Sequence, residues 1–415
     1  MQTTTLHPRT VLVLGGSPRQ LPMVKALKAR GFRVVLSDYT PSPPARVLAD
    51  KHYQVSTFDA QANLEVAKKE RVSFLATMAT DQPVLTAAFV SEKLGLPFTL
   101  TLSQAQAATH KTEMKKVLQA HSIPTPRTIT ISDLESPPDA RALPLPWVVK
   151  PADNQGQRGV SRIFHESQLP KAFAVALPFS QTGKVVVEEY AQGPEFSISV
   201  IVIGGKAHLL LVTQRVHLDD AISFGVPRYH MYCPENRLSK TGESFQQLAQ
   251  NIADAMQLQH SPLYIQAVSN HTGFQVIEIA CRIGGAFECH SIPLWTGFHI
   301  LEATIDQLEG LPVIPPSQPE PCYGSVHHLY CHPGVLHEYS LREPFSSEAR
   351  MDFFIPTKNL GERLEGPILG TSCVGLMGLH APTLTLHDER LQKAWKAIHI
   401  LDPSGKDILL RFNDR

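Results

Sequence analysis

The sequence predicts an α/β protein with three domains, the first of which is a doubly wound parallel sheet. Over residues 1–108, short apolar runs alternate with amphipathic stretches of helical period, which is the pattern of such a sheet. From residue 109 the chain changes to several strands with polar loops, and a proline-rich stretch, LPVIPPSQPEP, follows Gly310. We therefore place the domains at residues 1–108, 109–310 and 311–415. A chain of 415 residues with 43% hydrophobic content can fill two or three cores.

The first domain begins with a strand, a helix and a second strand. The strand TVLVL ends in Gly15 and Gly16, the amphipathic helix LPMVKALKARG follows, and FRVVLSD is the second strand. The alternation continues through HYQVST, ANLEVAKKER, SFLATM and PVLTAAFVSEKLG. Because GGSPRQ does not match GxGxxG, we interpret the two glycines as a tight turn that leads into the helix, and not as a dinucleotide site.

The second domain carries a lysine and a glycine loop of the kind that binds phosphates. In WVVKPADNQGQRGVSRI, Lys150 ends a strand, and Gly156 and Gly159 follow in the loop before the next strand. Glycines let backbone N–H groups approach phosphate oxygens, and the lysine adds a positive charge. Hairpin turns use glycines as well, so this segment alone leaves both interpretations open.

Two further segments place acids and an arginine on strands. VVVEEYAQGPEFSISVIV has an acidic strand end, a short connector and a strand that opens at Glu195. LYIQAVSNHTGFQVIEIACRIGG is predicted to form two strands joined by a turn, with Gln266 on the first and Glu278 and Arg282 on or after the second. If these strands pair, Gln266 and Glu278 share a face and offer oxygen ligands that suit Mg²⁺. Arg282 could then hold a phosphoryl oxygen.

These three segments, in this order, resemble the ATP-grasp superfamily, and the resemblance covers the chain to about Gly310. It implies a three-domain ATP-grasp architecture with a lid subdomain at about residues 122–190 and a C-terminal α+β domain. It also implies ATP and one or two Mg²⁺ ions, replaceable by Mn²⁺, as cofactors. The residue roles that it implies are phosphate binding for Lys111 and Lys150, the lid loop for Gly156 and Gly159, the adenine hinge for Glu188, Glu189, Tyr190 and Ala191, ribose binding for Glu195, metal binding for Gln266 and Glu278, and contact with the transferred phosphoryl group for Arg282.

Two positions depart from the common pattern of that superfamily. Gln266 stands where many members carry an acidic metal ligand, and Ala280 stands where many carry asparagine. Both departures leave open whether a second Mg²⁺ ion binds. Glutamine at the first position is similar to the metal ligand of carbamoyl phosphate synthetase, and alanine at the second resembles the pattern of the bacterial L-amino acid ligases of the bacilysin type. The resemblance therefore implies an amino-acid substrate.

A polar segment between the hinge and the metal strands, TQRVHLDDAISFGVPRYHMYCPENRL, matches the place where relatives carry substrate loops. Within it, Arg215 is a candidate contact for the γ-phosphate and His230 a candidate contact for substrate. A single histidine beside Tyr229 and Tyr232 is also typical of a packed side chain, and that interpretation stays open.

A second set of candidate ligands lies in HHLYCH, where His327, His328, Cys331 and His332 are of types that bind zinc. Side chains alternate between the two faces of a strand, so these four would not converge without a bend, and no standard zinc-finger spacing supports a site. The six cysteines are scattered without CxxC pairs, which predicts reduced thiols. Cys281 is adjacent to the predicted chemistry, but an acyl phosphate route needs no cysteine nucleophile.

Composition limits the classes of partner and the compartment. The 38 lysine and arginine residues balance 38 acids and form no basic run, which argues against nucleic acid as a partner. The start lacks the pattern of a signal peptide, and no apolar run reaches the roughly 18 residues that span a membrane. We expect a cytoplasmic protein that acts on small molecules and does not bind membranes, and the resemblance implies a homodimer.

The resemblance implies an ATP-dependent carboxylate-amine ligase, which activates a carboxylate as an acyl phosphate and joins it to an amine. Amino acids are the expected substrates. Two alternatives stay open. A carboxylase or a ligase acting on a nucleotide precursor would share the fold, and bicarbonate dependence would reveal the carboxylase. An ATP-binding protein without ligase chemistry is the other, because Gln266 and Ala280 depart from the common pattern.

Overall fold

The computed structural model describes residues 9–134, 142–153, 158–180, 182–220, 222–235, 240–271, 273–285, 288–341 and 351–412. The α-helices in these residues are α1 (Leu21–Ala29), α2 (Ala60–Glu70), α3 (Gln82–Leu94), α4 (Leu102–Thr109), α5 (Lys111–Ala120), α6 (Leu169–Ala176), α7 (Lys240–Ala255), α8 (Glu288–Thr296), α9 (Ile300–Glu309) and α10 (Leu384–Ala397). The β-strands are β1 (Thr10–Leu14), β2 (Arg33–Asp38), β3 (Lys51–Gln54), β4 (Phe74–Ala76), β5 (Thr128–Ile131), β6 (Trp147–Pro151), β7 (Ser161–Ile163), β8 (Val185–Glu189), β9 (Glu195–Ile203), β10 (Lys206–His217), β11 (Pro227–Tyr232), β12 (His260–Asn270), β13 (Gly273–Ala280), β14 (Tyr323–Leu329), β15 (Gly334–Val335), β16 (Glu338–Leu341), β17 (Phe353–Pro356), β18 (Arg363–Leu364), β19 (Gly375–Ala381) and β20 (Ile398–Leu401).

The N-terminal sheet is parallel, as the sequence predicts, with strand order β3-β2-β1-β4. Every residue of β1 is buried. Val11 and Val13 belong to one hydrophobic core, and Leu12 and Leu14 belong to another, so alternate side chains of this strand pack on opposite faces of the sheet. A continuous apolar run is therefore what a strand covered by helices on both faces requires.

A large antiparallel sheet forms the centre of the molecule, with strand order β13-β12-β9-β10-β11-β14-β19-β17. The helix α7 packs on it, and Phe245 of that helix is completely buried against the core of β9, β10 and β12. The pairing of β11 with β14 joins strands from either side of the proline-rich stretch at residues 311–321. The proposed second and third domains thus share one sheet.

The predicted lid subdomain has its own sheet, with strand order β5-β8-β6-β7, in which the pairs are antiparallel. Trp147 and Val149 of β6 and Phe173 of α6 belong to a core that is separate from those of the rest of the chain. A separate core and a separate sheet are the features that let a segment move as a unit. The division into domains at residues 108 and 310 stays a proposal.

The C-terminal part adds two short antiparallel pairs, β15 with β18 and β16 with β20, and the helix α10, which packs on β19. In the described part of the chain, no helix is both long and apolar enough to cross a membrane. The α/β fold class predicted from the sequence is confirmed.

Candidate active site

One cavity of about 490 Å³ lies where the lid sheet, the large sheet and the N-terminal domain meet. Gly156 lies outside the described residues, and Gly159 lies between two residues that line the cavity, Arg158 and Val160. All the other predicted site residues line the cavity itself: Lys111, Lys150, Glu188, Glu189, Tyr190, Ala191, Glu195, Arg215, His230, Gln266, Glu278 and Arg282.

Gly159 has a structural requirement of its own. Its φ is +72°, and a Cβ placed there would lie 2.8 Å from a ring carbon of Phe179 and 3.2 Å from the Cα of Ala176. The left-handed backbone and the close packing on the lid each favour glycine at this position. The predicted role of Gly159 in a loop over the phosphates stays a prediction.

The carboxylate of Glu188 lies between two buried lysines. Its Oε1 lies 3.1 Å from the Nζ of Lys150, and its Oε2 lies 2.8 Å from the Nζ of Lys115. The pairing of β6 with β8 puts Lys150 and Glu188 on neighbouring strands. Burial alone would raise the pKa of Glu188, but Lys150 and Lys115 more than offset burial and hold this pKa below its ordinary value.

Lys115, which contacts Glu188 of the cavity wall, is a lysine that the sequence pattern did not single out. It is almost completely buried, and its Nζ also donates to Thr125 Oγ1 at 3.1 Å and to the Pro126 carbonyl at 2.7 Å. Burial lowers the pKa of its ammonium group, although Glu188 partly offsets this. Lys115 lies four residues after Lys111 on α5, so the helical period could have placed the two lysines on one face.

Glu195 contacts three side chains of the cavity wall. Its Oε1 lies 2.8 Å from Arg215 Nε and accepts from Gln266 Nε2 at 2.5 Å, and its Oε2 lies 3.3 Å from His217 Nε2. Arg215 also donates to the hydroxyl of Tyr264 at 3.0 Å. Burial would lower the pKa of Arg215, but Glu195 and Tyr264 keep it above its ordinary value, so the guanidinium stays charged. The predicted ribose role of Glu195 stays a prediction.

Gln266 and Glu278 are Cα partners across β12 and β13, as the sequence predicts for paired strands. The amide oxygen of Gln266 accepts from Arg215 at 3.4 Å. In the described part of the chain, the side chain of Glu278 makes no hydrogen bond or ion pair, although its charge raises the pKa values of Arg215 and Arg282. A carboxylate of this kind fits a Mg²⁺ ion, which takes few protein ligands and completes its shell with water and phosphate oxygens.

Arg282 is paired with an acid from the N-terminal domain. Its Nε and Nη2 each lie 2.5 Å from Asp81 Oδ1, and its Nη1 donates to the Ile283 carbonyl at 3.1 Å. Asp81 immediately precedes α3, and nothing in its local sequence marks it as a site residue. The ion pair connects the first domain to the end of β13.

The far end of the cavity carries two buried histidines. His230 of β11 stacks on His328 of β14 with the ring centroids 5.5 Å apart, and its Nδ1 lies 3.3 Å from Thr213 Oγ1. Burial and Arg215 lower the pKa of His230 well below its ordinary value, so its ring is neutral at pH 7. His230 is thus a packed side chain that also lines the cavity.

The sequence motif HHLYCH places its first two histidines on opposite faces of β14. His327 stacks on Tyr229 at 5.1 Å and accepts or donates a hydrogen bond with Ser325, while His328 lies on the cavity side. Among the residues that the structure describes, no three His, Cys, Asp or Glu side chains are grouped as metal ligands.

Burial and Asp81 raise the pKa of Cys281, which precedes Arg282, to about 12, so this side chain stays a thiol.

A cation joins the lid to the loop after β10. Arg162 of β7 forms an ion pair with Asp220, and its guanidinium carbon lies 4.9 Å from the ring centroid of Phe164, 5.0 Å from Tyr190 and 4.8 Å from Phe224. Tyr190 and Phe224 line the cavity. These contacts connect the β5-β8-β6-β7 sheet to the loop after β10, next to the predicted adenine hinge.

Comparisons with known proteins agree with this geometry. Residues 143–290 match the family model described as the ATP-grasp domain. The chain is 29% identical to the D-alanine–D-alanine ligase of Carboxydothermus hydrogenoformans over 167 residues, which are 38% of this chain and 53% of that protein. It is 32% identical to the same enzyme of Stutzerimonas stutzeri over 112 residues, which are 26% of this chain and 35% of that protein. The chain thus spans about half, or less, of the curated relatives that it matches.

Solved structures match over nearly the whole chain. The L-amino acid ligase from Bacillus licheniformis has a TM-score of 0.76 at 17% identity, covering 96% of this chain and 100% of that one. Phosphoribosylglycinamide synthetase from Anaerococcus prevotii has a TM-score of 0.75 at 17% identity, covering 95% and 100%. At such identity these matches establish the fold.

The match of residues 143–290 to the ATP-grasp domain and the fold shared with these solved structures confirm the resemblance that the sequence indicates. The chain carries an ATP-grasp domain at residues 143–290, is similar to D-alanine–D-alanine ligases over part of its sequence, and shares its fold with an L-amino acid ligase and a phosphoribosylglycinamide synthetase.

Proposed function

We propose that this protein is an ATP-dependent carboxylate-amine ligase that forms an amide or peptide bond between small molecules, with an amino acid as the carboxylate substrate. The observation that carries the proposal is one continuous cavity, lined by the predicted hinge, by Glu278, Arg215 and Arg282, and by the two histidines. A cavity of about 490 Å³ gives room beyond the phosphates for a second and a third reactant.

In the first step, an oxygen of the substrate carboxylate attacks the γ-phosphorus of ATP, and the bond from that phosphorus to the bridging oxygen of ADP breaks. Phosphoryl transfer depends on positioning and on neutralising the charge spread over the phosphoryl oxygens. We assign the phosphates to Lys111 and Lys150, and the transferring group to Arg215 and Arg282. Mg²⁺ bound through Glu278 would supply further positive charge beside the phosphates.

In the second step, the amine nitrogen attacks the carbonyl carbon of the acyl phosphate, the carbon–oxygen bond to phosphate breaks, and the amine releases a proton. Water would destroy an acyl phosphate before the amine arrives, so the site must exclude it. We assign this purpose to the Arg162 contacts, because they connect the predicted lid to the loop after β10.

The experiment that tests the proposal measures ADP formation with every pair drawn from a panel of amino acids and simple amines. We expect ADP only when a carboxylate and an amine are both present, and we expect it to be lost in Lys150→Met and Glu278→Gln. ADP formation that needs bicarbonate and no amine would favour a carboxylase. Nucleotide binding without ADP formation for any pair would favour a protein that only binds ATP.

Three finer assignments belong to the same proposal. Metal titration in the presence of nucleotide counts the bound Mg²⁺ ions, one or two. The same titration with Mn²⁺ tests whether this ion replaces Mg²⁺. The Hydrogenobacter thermophilus 2-oxoglutarate carboxylase domain is described as a dimer, and we propose a homodimer for this chain as well. Light scattering after gel filtration tests it. We also propose a cytoplasmic location.

A further inference from the structure

The loop between β1 and α1, with sequence GGSPRQ, is held rigidly at the far end of the cavity. Gln20 fixes it by donating to the Met78 carbonyl at 2.9 Å and accepting from the backbone of Ser17 at 3.1 Å. The backbone N–H of Gly16 donates to Asp38 at 2.7 Å, and a Cβ at Gly16 would lie 2.8 Å from Pro43. The glycines noted in the sequence thus serve close packing.

This rigid loop presents one charged side chain, Arg19, to the cavity. Arg19 is exposed, and it lines the cavity together with His328, Gly285 and Thr371. Burial, Arg215 and Arg19 together lower the pKa of His328 to about 3, so His328 is a neutral neighbour and Arg19 supplies the positive charge at this end. Because the loop backbone is fixed, only the side chain of Arg19 has to be ordered when a ligand binds.

The two arginines that the proposed function places at the transferring phosphoryl group have acidic partners, unlike Arg19. Arg215 faces Glu195, and Arg282 faces Asp81. Among the residues that the structure describes, none forms an ion pair or a hydrogen bond with the guanidinium of Arg19. A ligand that brought its own negative charge would complete this end of the cavity.

We propose that Arg19 binds the free carboxylate of the amine substrate, and that this substrate is therefore an α-amino acid or a peptide. The inference rests on the proposed ligase function. The carboxylate that reacts lies beside Arg215 and Arg282 in that function, so Arg19, which comes from another domain, serves a second carboxylate.

Glu288 favours a carboxylate over a phosphate group at this position. Glu288 is buried and lines the same cavity, and its neighbours Gly284, Gly285 and Cys289 line one recess with Arg19. A carboxylate at this end repels a dianion more strongly than a monoanion and attracts an ammonium group. An amino acid, with one negative and one positive group, matches this pair of charges.

The test measures equilibrium binding, so that it does not depend on turnover. Isothermal titration with a nonhydrolysable ATP analogue and Mg²⁺ present compares each common amino acid with its α-carboxamide, and O-phosphoethanolamine serves as the phosphate probe. We expect at least one amino acid to bind the wild type ten- to hundredfold more tightly than its amide, the range for a charge-assisted hydrogen-bonded pair. Arg19→Met should lose this difference for at least one amino acid, Arg19→Lys should keep part of it, and Arg363→Met on the exposed strand β18 should keep all of it.

Three results would overturn the proposal. These are binding of no amino acid by the wild type, acid-over-amide preferences that are unchanged in Arg19→Met for every amino acid, and tighter binding of O-phosphoethanolamine than of any amino acid. Circular dichroism of each variant confirms that it is folded. If the acid preference depends on Arg19 but no pair of substrates yields ADP, the carboxylate site stands and the ligase function fails. If pairs yield ADP but Arg19→Met leaves the preference intact, the ligase function stands and this inference fails.

Discussion

Arg282 and Asp81 form a buried ion pair in which two guanidinium nitrogens lie 2.5 Å from one carboxylate oxygen. The partners come from the end of β13 and the start of α3, which are two hundred residues apart in the chain. The pair both joins two domains and holds a cation at the predicted reaction centre.

This pairing predicts strong coupling between the two residues. Removing one partner leaves the other charge buried without compensation, which costs about 3–5 kcal/mol of the free energy of unfolding. We expect Asp81→Asn and Arg282→Met each to lose stability in this range, and the double variant to lose much less than the sum, as measured by urea denaturation. Additive losses would show that the pair is not coupled.

The Glu188 cluster predicts an acid-dependent loss of stability. Lys150 and Lys115 lower the pKa of folded Glu188 below its usual 4.5 in spite of burial, so the ionised form stabilises the fold. This contribution is complete above the unfolded pKa and disappears as the pH falls through the lower folded value. Urea midpoints measured from pH ~6 to pH ~3 should fall more steeply in the wild type than in Glu188→Gln.

The matched control for that experiment is the next residue, Glu189→Gln. The Glu189 side chain pairs with exposed Arg127 at 2.9 Å, where solvent screens the charge. We expect this variant to follow the pH profile of the wild type. A Glu188→Gln profile with the same slope as the wild type would contradict the role given to the two lysines.

The Arg162 contacts predict that a variant without them binds ATP less tightly and forms ADP without needing the amine. Arg162→Leu removes an ion pair and the contacts with three aromatic rings, each of which contributes on the order of 0.5–1 kcal/mol at a partly exposed site. We expect the KM for ATP to rise about fivefold to tenfold, and ADP formation without amine to increase. Lys171→Met, on the exposed face of α6, is the control. Unchanged values in Arg162→Leu would show that these contacts do not hold the lid.

The close contact between Gly284 and Glu288 predicts that a methyl group added at Gly284 disturbs the far end of the cavity. A Cβ at this position would lie 2.2 Å from the carboxyl group of Glu288, so Gly284→Ala must displace that side chain. We expect the KM of the amine substrate to rise by about tenfold or more while the KM for ATP changes little. Gly334→Ala, where the new Cβ would meet Ile408 at an ordinary 3.5 Å, should leave both values unchanged.

Much of this arrangement follows from the sequence, because local patterns determine strands and their ends. The apolar run of β1 and the two segments that become β12 and β13 are enough to predict a parallel first sheet and the pairing of Gln266 with Glu278. Lys115 could also have been predicted, since it lies one helical turn beyond Lys111.

The remaining site residues could not be predicted, because they reach the cavity from distant segments. Asp81, Arg19 and His328 lie on an N-terminal helix start, an N-terminal loop and a C-terminal strand. Only the packing of three sheets brings these segments together, and no short pattern records that packing. Glu195 is predicted from its position in GPE. Its contacts with Arg215 and Gln266 are not predicted, because those residues come from other segments of the chain.

The transfer of oxygen from the carboxylate substrate to phosphate tests the central claim most directly. If the carboxylate attacks ATP, one of its oxygens must leave with the phosphate when the amine forms the amide. We predict that a carboxylate substrate labelled with ¹⁸O in both oxygens gives inorganic phosphate with one ¹⁸O atom per molecule, detected by ³¹P NMR. Amide formation accompanied by unlabelled phosphate would contradict the acyl phosphate mechanism.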